Sequence, residues 1–159
     1  MREFFNQAGS FDAIVAALGS APFAYLKDAN TEDFQAGLNN KLQGQINLVL
    51  HGLDHLVVGG SFTLITGILA QHPVEKSVIA STVNGGLEAF IYAASTDIPP
   101  PRGIRINTDS PNVVEESLDT YCAFFPCFEP VRPQSVANSV SAPPMAWKLA
   151  KSSRSGKQT

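Results

Sequence analysis

The sequence predicts an α/β protein organised on a parallel sheet. Short apolar or β-branched runs closed by glycine alternate with long stretches of helical periodicity, and the runs are too far apart for hairpins. Hydrophobic residues make up 44% of the 159 and charged residues 16%, a balance that suits one folded domain.

The first run, residues 12–18, is apolar after Asp12 and stops at Gly19 and Ser20. It reads as a strand of a sheet covered on both faces. Asn30 then caps a helix, with Asp33 three residues on, and Phe34, Leu38, Leu42, Val49, Leu53 and Leu56 extend its spacing to Val58, before Gly59 and Gly60. Residues 61–66 are rich in β-branched and aromatic side chains and form a second strand closed by Gly67. Ile79, Val83, Leu87, Phe90, Ile91 and Ala94 set a second long helix over 77–94, in which Gly85 and Gly86 imply close packing. Pro99 to Gly103 turn the chain into a third strand, 104–107. Crossovers of this length make the strands parallel and the crossovers right-handed. After Pro111 the chain reads as irregular, with Phe124, Phe125, Pro126, Phe128 and Pro130 in a loop over a site or over the core.

Charge narrows the partners. Lys148, Lys151, Arg154 and Lys157 fall in a tail, 139–159, that holds no acid, so residues 1–138 carry 7 basic and 14 acidic side chains. An acidic body argues against nucleic acid, and no apolar run is long enough to span a membrane. Cys122 and Cys127 lack zinc-site spacing, and no secretory pattern precedes them, so a reduced, cytoplasmic protein is expected. His51 and His55 stand four apart on a helix but without the His-Glu-x-x-His arrangement, so no metal is expected.

In order along the chain, 12–19, 60–67, and 103–107 followed by Ser110 and Pro111 resemble the fourth, fifth and sixth strands of the short-chain dehydrogenase/reductase family. Together the matching strings cover about residues 3–138. The resemblance implies a partial, Rossmann-like sheet of about three strands, with residues 2–7 ending the helix before the first. The family's Thr-Gly-x-x-x-Gly-x-Gly turn, which seats a pyrophosphate at a helix N-terminus, has no counterpart here. The first dinucleotide-binding βαβ unit is therefore expected to be missing.

The resemblance also places the chemistry. Family members use a tyrosine as acid/base and a lysine four residues on, and those positions fall on Ala80 and Asn84. Thr66 falls at or beside the family's serine, which orients the substrate carbonyl, and Lys41 falls where an asparagine supports proton relay. Thr66 and Lys41 are thus the candidate catalytic residues, with Ala17, Gly19, Pro111 and Val114 as candidate contacts for NADP or NAD. The implied function is oxidoreduction of a small carbonyl or alcohol in specialised metabolism. The other reading is a non-catalytic, dehydrogenase-like protein that pairs through helix 77–94, where family members commonly dimerise.

Residues 139–159 form a basic tail, expected to be disordered, where the family has a terminal strand. Reading the bases from the end of the Ser141 codon in the shifted frame allows Arg-Ser-Ala-His-Gly-Val-Glu-Thr-Gly-Lys-Val-Ile-Glu-Val with permissible synonymous codons. That string resembles the family's terminal strand, and a single-base frameshift or a misplaced exon boundary is the expected origin of the tail.

Overall fold

The computed structural model describes residues 1–98, 100–121, 124–125 and 128–141. The expectations placed on Cys122, Cys127, Pro126 and Pro99, and on the tail beyond Ser141, lie outside the described residues.

Three strands form one sheet in the order β1 (Phe11–Ala16), β2 (Leu56–Ile65), β3 (Arg105–Asp109), and both pairs are parallel. The long crossovers dictate this, and Phe62 at the centre faces Ile14 on one side and Ile106 on the other. Ahead of the sheet runs α1 (Arg2–Ala8), as the resemblance implied. Between β1 and β2 lie α2 (Thr31–Gly37), a π-helical stretch (Leu38–Gln43) and α3 (Gly44–Gly52). Asn30 caps α2 as the sequence indicated: its Oδ1 accepts from the Asp33 N–H at 2.9 Å, and Asp33 Oδ2 accepts from the Asn30 N–H at 3.2 Å. Between β2 and β3 runs α4 (Val78–Asp97).

Burial alternates along the strands. Ile14, Ala16, Leu56, Phe62, Leu64 and Ile106 face the helices, where Phe5, Val49, Leu87 and Ile91 complete the main core. A smaller cluster of Leu69, Ala80, Val113 and Phe125 closes the carboxyl end of the sheet. The expectation of a strand covered on both faces fails at β1, where Asp12 and Ala13 are exposed and Val15 is 48% exposed. Its apolar run mimics a doubly covered strand, but only the period-2 subset Ile14 and Ala16 is buried.

The helix expected to run from Asn30 to Val58 ends earlier. A 3₁₀ turn, Leu53–His55, breaks it, and Leu56 opens β2. Leu53 and Leu56 keep helical spacing by coincidence, because Val57 and Val58 are β-branched and Leu56 pairs with Phe11 across the ladder. The ladder then skips from Leu56 to Ser61, leaving Val57 to Gly60 as a bulge opposite Phe11 to Ala13. β1 stops at Ala16 rather than Leu18, and β3 begins and ends slightly later than 104–107.

The segment expected to be irregular after Pro111 contains a short α5 (Leu118–Tyr121) and α6 (Pro133–Ser141), whose Ser139 hydroxyl donates to the Asp109 carboxylate. The glycine pair of α4 splits in role. A Cβ on Gly86 would stand 3.3 Å from Leu42 Cδ2, which is the close packing anticipated, whereas Gly85 faces open space.

Candidate functional site

Lys41, Thr66 and the loop residues near Pro111 gather at the carboxyl ends of the three strands, where open α/β sheets place their ligand crevices. The end of β1 leads into Ala17 and Gly19, both exposed. Gly19 has φ +97°, and a Cβ there would lie 2.6 Å from Lys41 Cα. Only glycine permits that turn to rest on the helix backbone.

Across the turn, the π-helical stretch Leu38–Gln43 widens the helix by one residue per turn and re-aims its side chains toward the strand ends. Lys41 Nζ donates to the Thr66 carbonyl at 2.7 Å. Burial lowers the Lys41 ammonium from 10.5 to about 8. One turn on, the fully buried Gln45 donates to the carbonyls of Leu18 at 3.1 Å and Ile65 at 2.9 Å and accepts from the Ile65 N–H at 3.0 Å. A single side chain thereby ties the ends of β1 and β2 together where their ladder stops.

Thr66, 3% exposed, sits between this helix and α4. Its N–H donates to the Asp109 carbonyl at 2.9 Å, and its hydroxyl donates to Glu88 Oε1 at 3.2 Å and lies 3.3 Å from the Thr108 hydroxyl. Gln71 Nε2 donates to both Glu88 oxygens at 2.6 Å. The Thr66 proton therefore points to a carboxylate, and its backbone carbonyl is the atom presented to Lys41.

On α4, Ala80 is buried in the second cluster, and Asn84 is 4% exposed with Oδ1 lacking a hydrogen-bond partner among the described residues. A Cβ on Gly67 would come within 3.1 Å of Asn84 Nδ2, so the end of β2 rests directly on this amide. A tyrosine at position 80 would have to displace Leu69, Val113 or Phe125; the place of an acid/base on α4 is packed shut.

The candidate cofactor contacts divide between the two edge strands. Ala17 and Gly19 follow β1, while Pro111, whose carbonyl accepts from the Ile68 N–H at 3.0 Å, and Val114, bridged to Val131, follow β3. They flank Thr66 and Gly67 from opposite sides. Among the described residues no glycine-rich turn follows a strand as a seat for a pyrophosphate.

His55 is occupied elsewhere, with Nδ1 3.1 Å from the Gly9 carbonyl and its ring stacked on Phe5. Among the described residues no cluster of His, Cys, Asp and Glu is arranged to hold a metal, and no helix is long and apolar enough to cross a membrane. Beside Gly19 a cleft of about 510 Å³ opens between Ser20, Phe23, Ala36, Asn40, Tyr121 and Phe124.

Lys41 and Thr66 were named from the sequence as candidates, whereas Gln45, Glu88 and the cleft were not. Gln45 was detectable as a polar residue four after Lys41 on one helix face, and Glu88 as four after Asn84. The cleft joins Phe23 to Tyr121 and Phe124 over about a hundred residues, and no local pattern signals that.

A family model described as Enoyl-(Acyl carrier protein) reductase matches residues 1–151. The structure of the protein lin1944 from Listeria innocua is 45% identical, with a TM-score of 0.83 over 87% of this chain and 68% of its own. A small-chain dehydrogenase in complex with NADPH is 26% identical, with a TM-score of 0.68 over 75% of this chain and 54% of its own. A short chain dehydrogenase from Burkholderia cenocepacia J2315 in complex with NADP, 20% identical with a TM-score of 0.75 over 87% of this chain and 62% of its own, agrees in fold. Among curated proteins nothing matches. The chain thus spans a little over half to about two thirds of the length of these structures. Its three parallel strands, in register and in order, belong to the common architecture of that group, and the protein is a member of the short-chain dehydrogenase/reductase family.

Proposed function

We propose that this protein is a cytoplasmic oxidoreductase that interconverts a small carbonyl and its alcohol with NADP(H) or NAD(H), in specialised metabolism, using Lys41 as the proton donor in place of the family's tyrosine. The observation that carries the reading is the Lys41 ammonium held 2.7 Å from the Thr66 carbonyl at the carboxyl end of the central strand, with the buried Ala80 at the position where the resemblance puts the family's tyrosine. The NADPH and NADP bound in the two dehydrogenase structures support the choice of cofactor.

The cofactor, when bound, supplies or accepts the hydride. Reduction of a carbonyl then leaves an oxyanion that needs one proton. An ammonium lowered to about 8 is a better acid than an ordinary lysine and still carries its proton at neutral pH. Thr66 acts as a positioning residue: its carbonyl aims the ammonium, and Glu88 anchors its hydroxyl so that the carbonyl stays in place. Gly19 and Ala17 on one side and Pro111 and Val114 on the other would border the nicotinamide ring.

Titration of the purified chain with NADPH, followed by cofactor fluorescence and thermal stability, tests the reading. Saturable binding supports it. No stabilisation at millimolar NADPH overturns it, since a specific ligand at concentrations well above its Kd must raise stability.

A specific feature of α4 favours a second reading, a non-catalytic protein acting through a homodimer. Gly85 faces open space, and Thr82, Ala89 and the 68% exposed Tyr92 share its outer face, which would allow close approach of a second helix. Gly85→Leu is then expected to shift light scattering from dimer to monomer. A wild-type monomer at high micromolar concentration refutes it.

A further inference from the structure

We propose that the cleft beside Gly19 is the substrate pocket of this site and takes a neutral aromatic ketone or aldehyde. The inference rests on the oxidoreductase reading above and adds the substrate class. At about 510 Å³ the cleft has the size of a small-molecule site. Asn40 and Lys41 are consecutive on the π-helical stretch, so one turn of helix carries both the wall of the cleft and the buried ammonium.

Three rings make the apolar side. The Phe23 ring centroid lies 5.4 Å from that of Tyr121 and 5.6 Å from that of Phe124, with interplanar angles of 39° and 33°. These half-buried rings give the cleft an aromatic wall for a further ring to pack against. Among the described residues no charged side chain lines the cleft. The nearby Lys76 ammonium sits over the rings of Phe124 and Tyr25, at 5.1 and 4.9 Å from their centroids, and those ring faces hold its charge. Lys41 Nζ is turned to the Thr66 carbonyl and Lys76 Nζ to the ring faces, so among the described residues no cation lines the cleft for a carboxylate, and an anionic substrate is disfavoured.

The polar part of the wall selects an acceptor. Asn40 Oδ1 accepts from the Ser20 N–H at 2.8 Å, so the amide N–H₂ of Asn40 is the end that can donate to a ligand carbonyl. Ring stacking on one side and an amide donor on the other match an aryl carbonyl compound.

The test uses the purified chain without cofactor and two probes of equal ring size, 2-acetylnaphthalene and 2-naphthoate, followed by saturation-transfer NMR and calorimetry. The neutral ketone is expected to bind saturably and about tenfold or more tighter than the carboxylate. Phe23→Leu is expected to weaken ketone binding about fivefold. Should that variant fail to fold, Asn40→Asp, which keeps the acceptor for Ser20 but removes the donor, is expected to weaken the ketone by a similar factor. Equal affinity for the two probes, no saturable ketone binding, or unchanged affinity in a folded variant overturns the proposal. Because cofactor is left out, ketone binding without NADPH binding sinks the oxidoreductase reading alone, and the reverse result sinks this one alone.

Discussion

Replacing Lys41 by methionine removes a buried charge and keeps most of the stem that packs against Gly19. The sign of its effect follows from proton linkage. Lys41 titrates near 8 in the folded chain and near 10.5 when unfolded, so below pH 8 the folded state must hold a charge that burial disfavours. Between pH 8 and 10.5 the unfolded chain binds the extra proton, and wild-type stability gains from this group as pH rises. At about 1.4 kcal/mol per pH unit the full relief is about 3 kcal/mol, and partial contact with solvent reduces it to about 2. Lys41→Met loses that pH dependence. At pH 7 it is expected to be more stable than wild type by about 1 kcal/mol, since relief of the buried charge is offset by a Thr66 carbonyl left without its donor. Urea unfolding of both proteins at half-unit steps from pH 7 to 10.5 isolates the difference, because the two proteins differ at this one side chain. Parallel stability curves across that window would refute the assignment of a buried, cationic Lys41.

Other positions give independent checks. Gln45→Leu strands two carbonyls and one N–H at the strand ends and is expected to cost about 3 kcal/mol in urea unfolding; a loss under 1 would mean those groups find other partners. Gly19→Ala meets the Lys41 backbone at 2.6 Å with φ +97°, so a loss of about 2–4 kcal/mol is expected, and a melting temperature equal to wild type would contradict the close approach. Val15→Lys on the exposed side of the edge strand β1 is expected to leave stability within about 0.5 kcal/mol and to slow aggregation on heating; a large loss would show that Val15 is covered.

The three strands and the α4 core face were legible because their signals are local. Asn30 with Asp33 announces a cap, and Ile79, Val83, Leu87 and Ile91 announce a buried face. What misled was also local. Leu53 and Leu56 continue a helical spacing that the chain abandons at Leu53, and the unbroken apolar run of β1 hides a strand with one exposed face. Lys41 was visible by position, whereas its orientation was not, since the π-helical stretch that carries it packs with Leu42 on Gly86 and is preceded by Gly37 on Ile79. Those contacts lie about forty residues apart in the chain, beyond what periodicity can report.

Whether Lys41 delivers a proton decides the proposed mechanism. The pH profile of NADPH-dependent reduction of 2-acetylnaphthalene, for wild type and Lys41→Met, measures it. The expected result is a wild-type rate that falls as pH rises through about 8, with the variant losing turnover but keeping saturable NADPH binding. Equal rates in the two proteins, or a profile flat from pH 6 to 10, would contradict it.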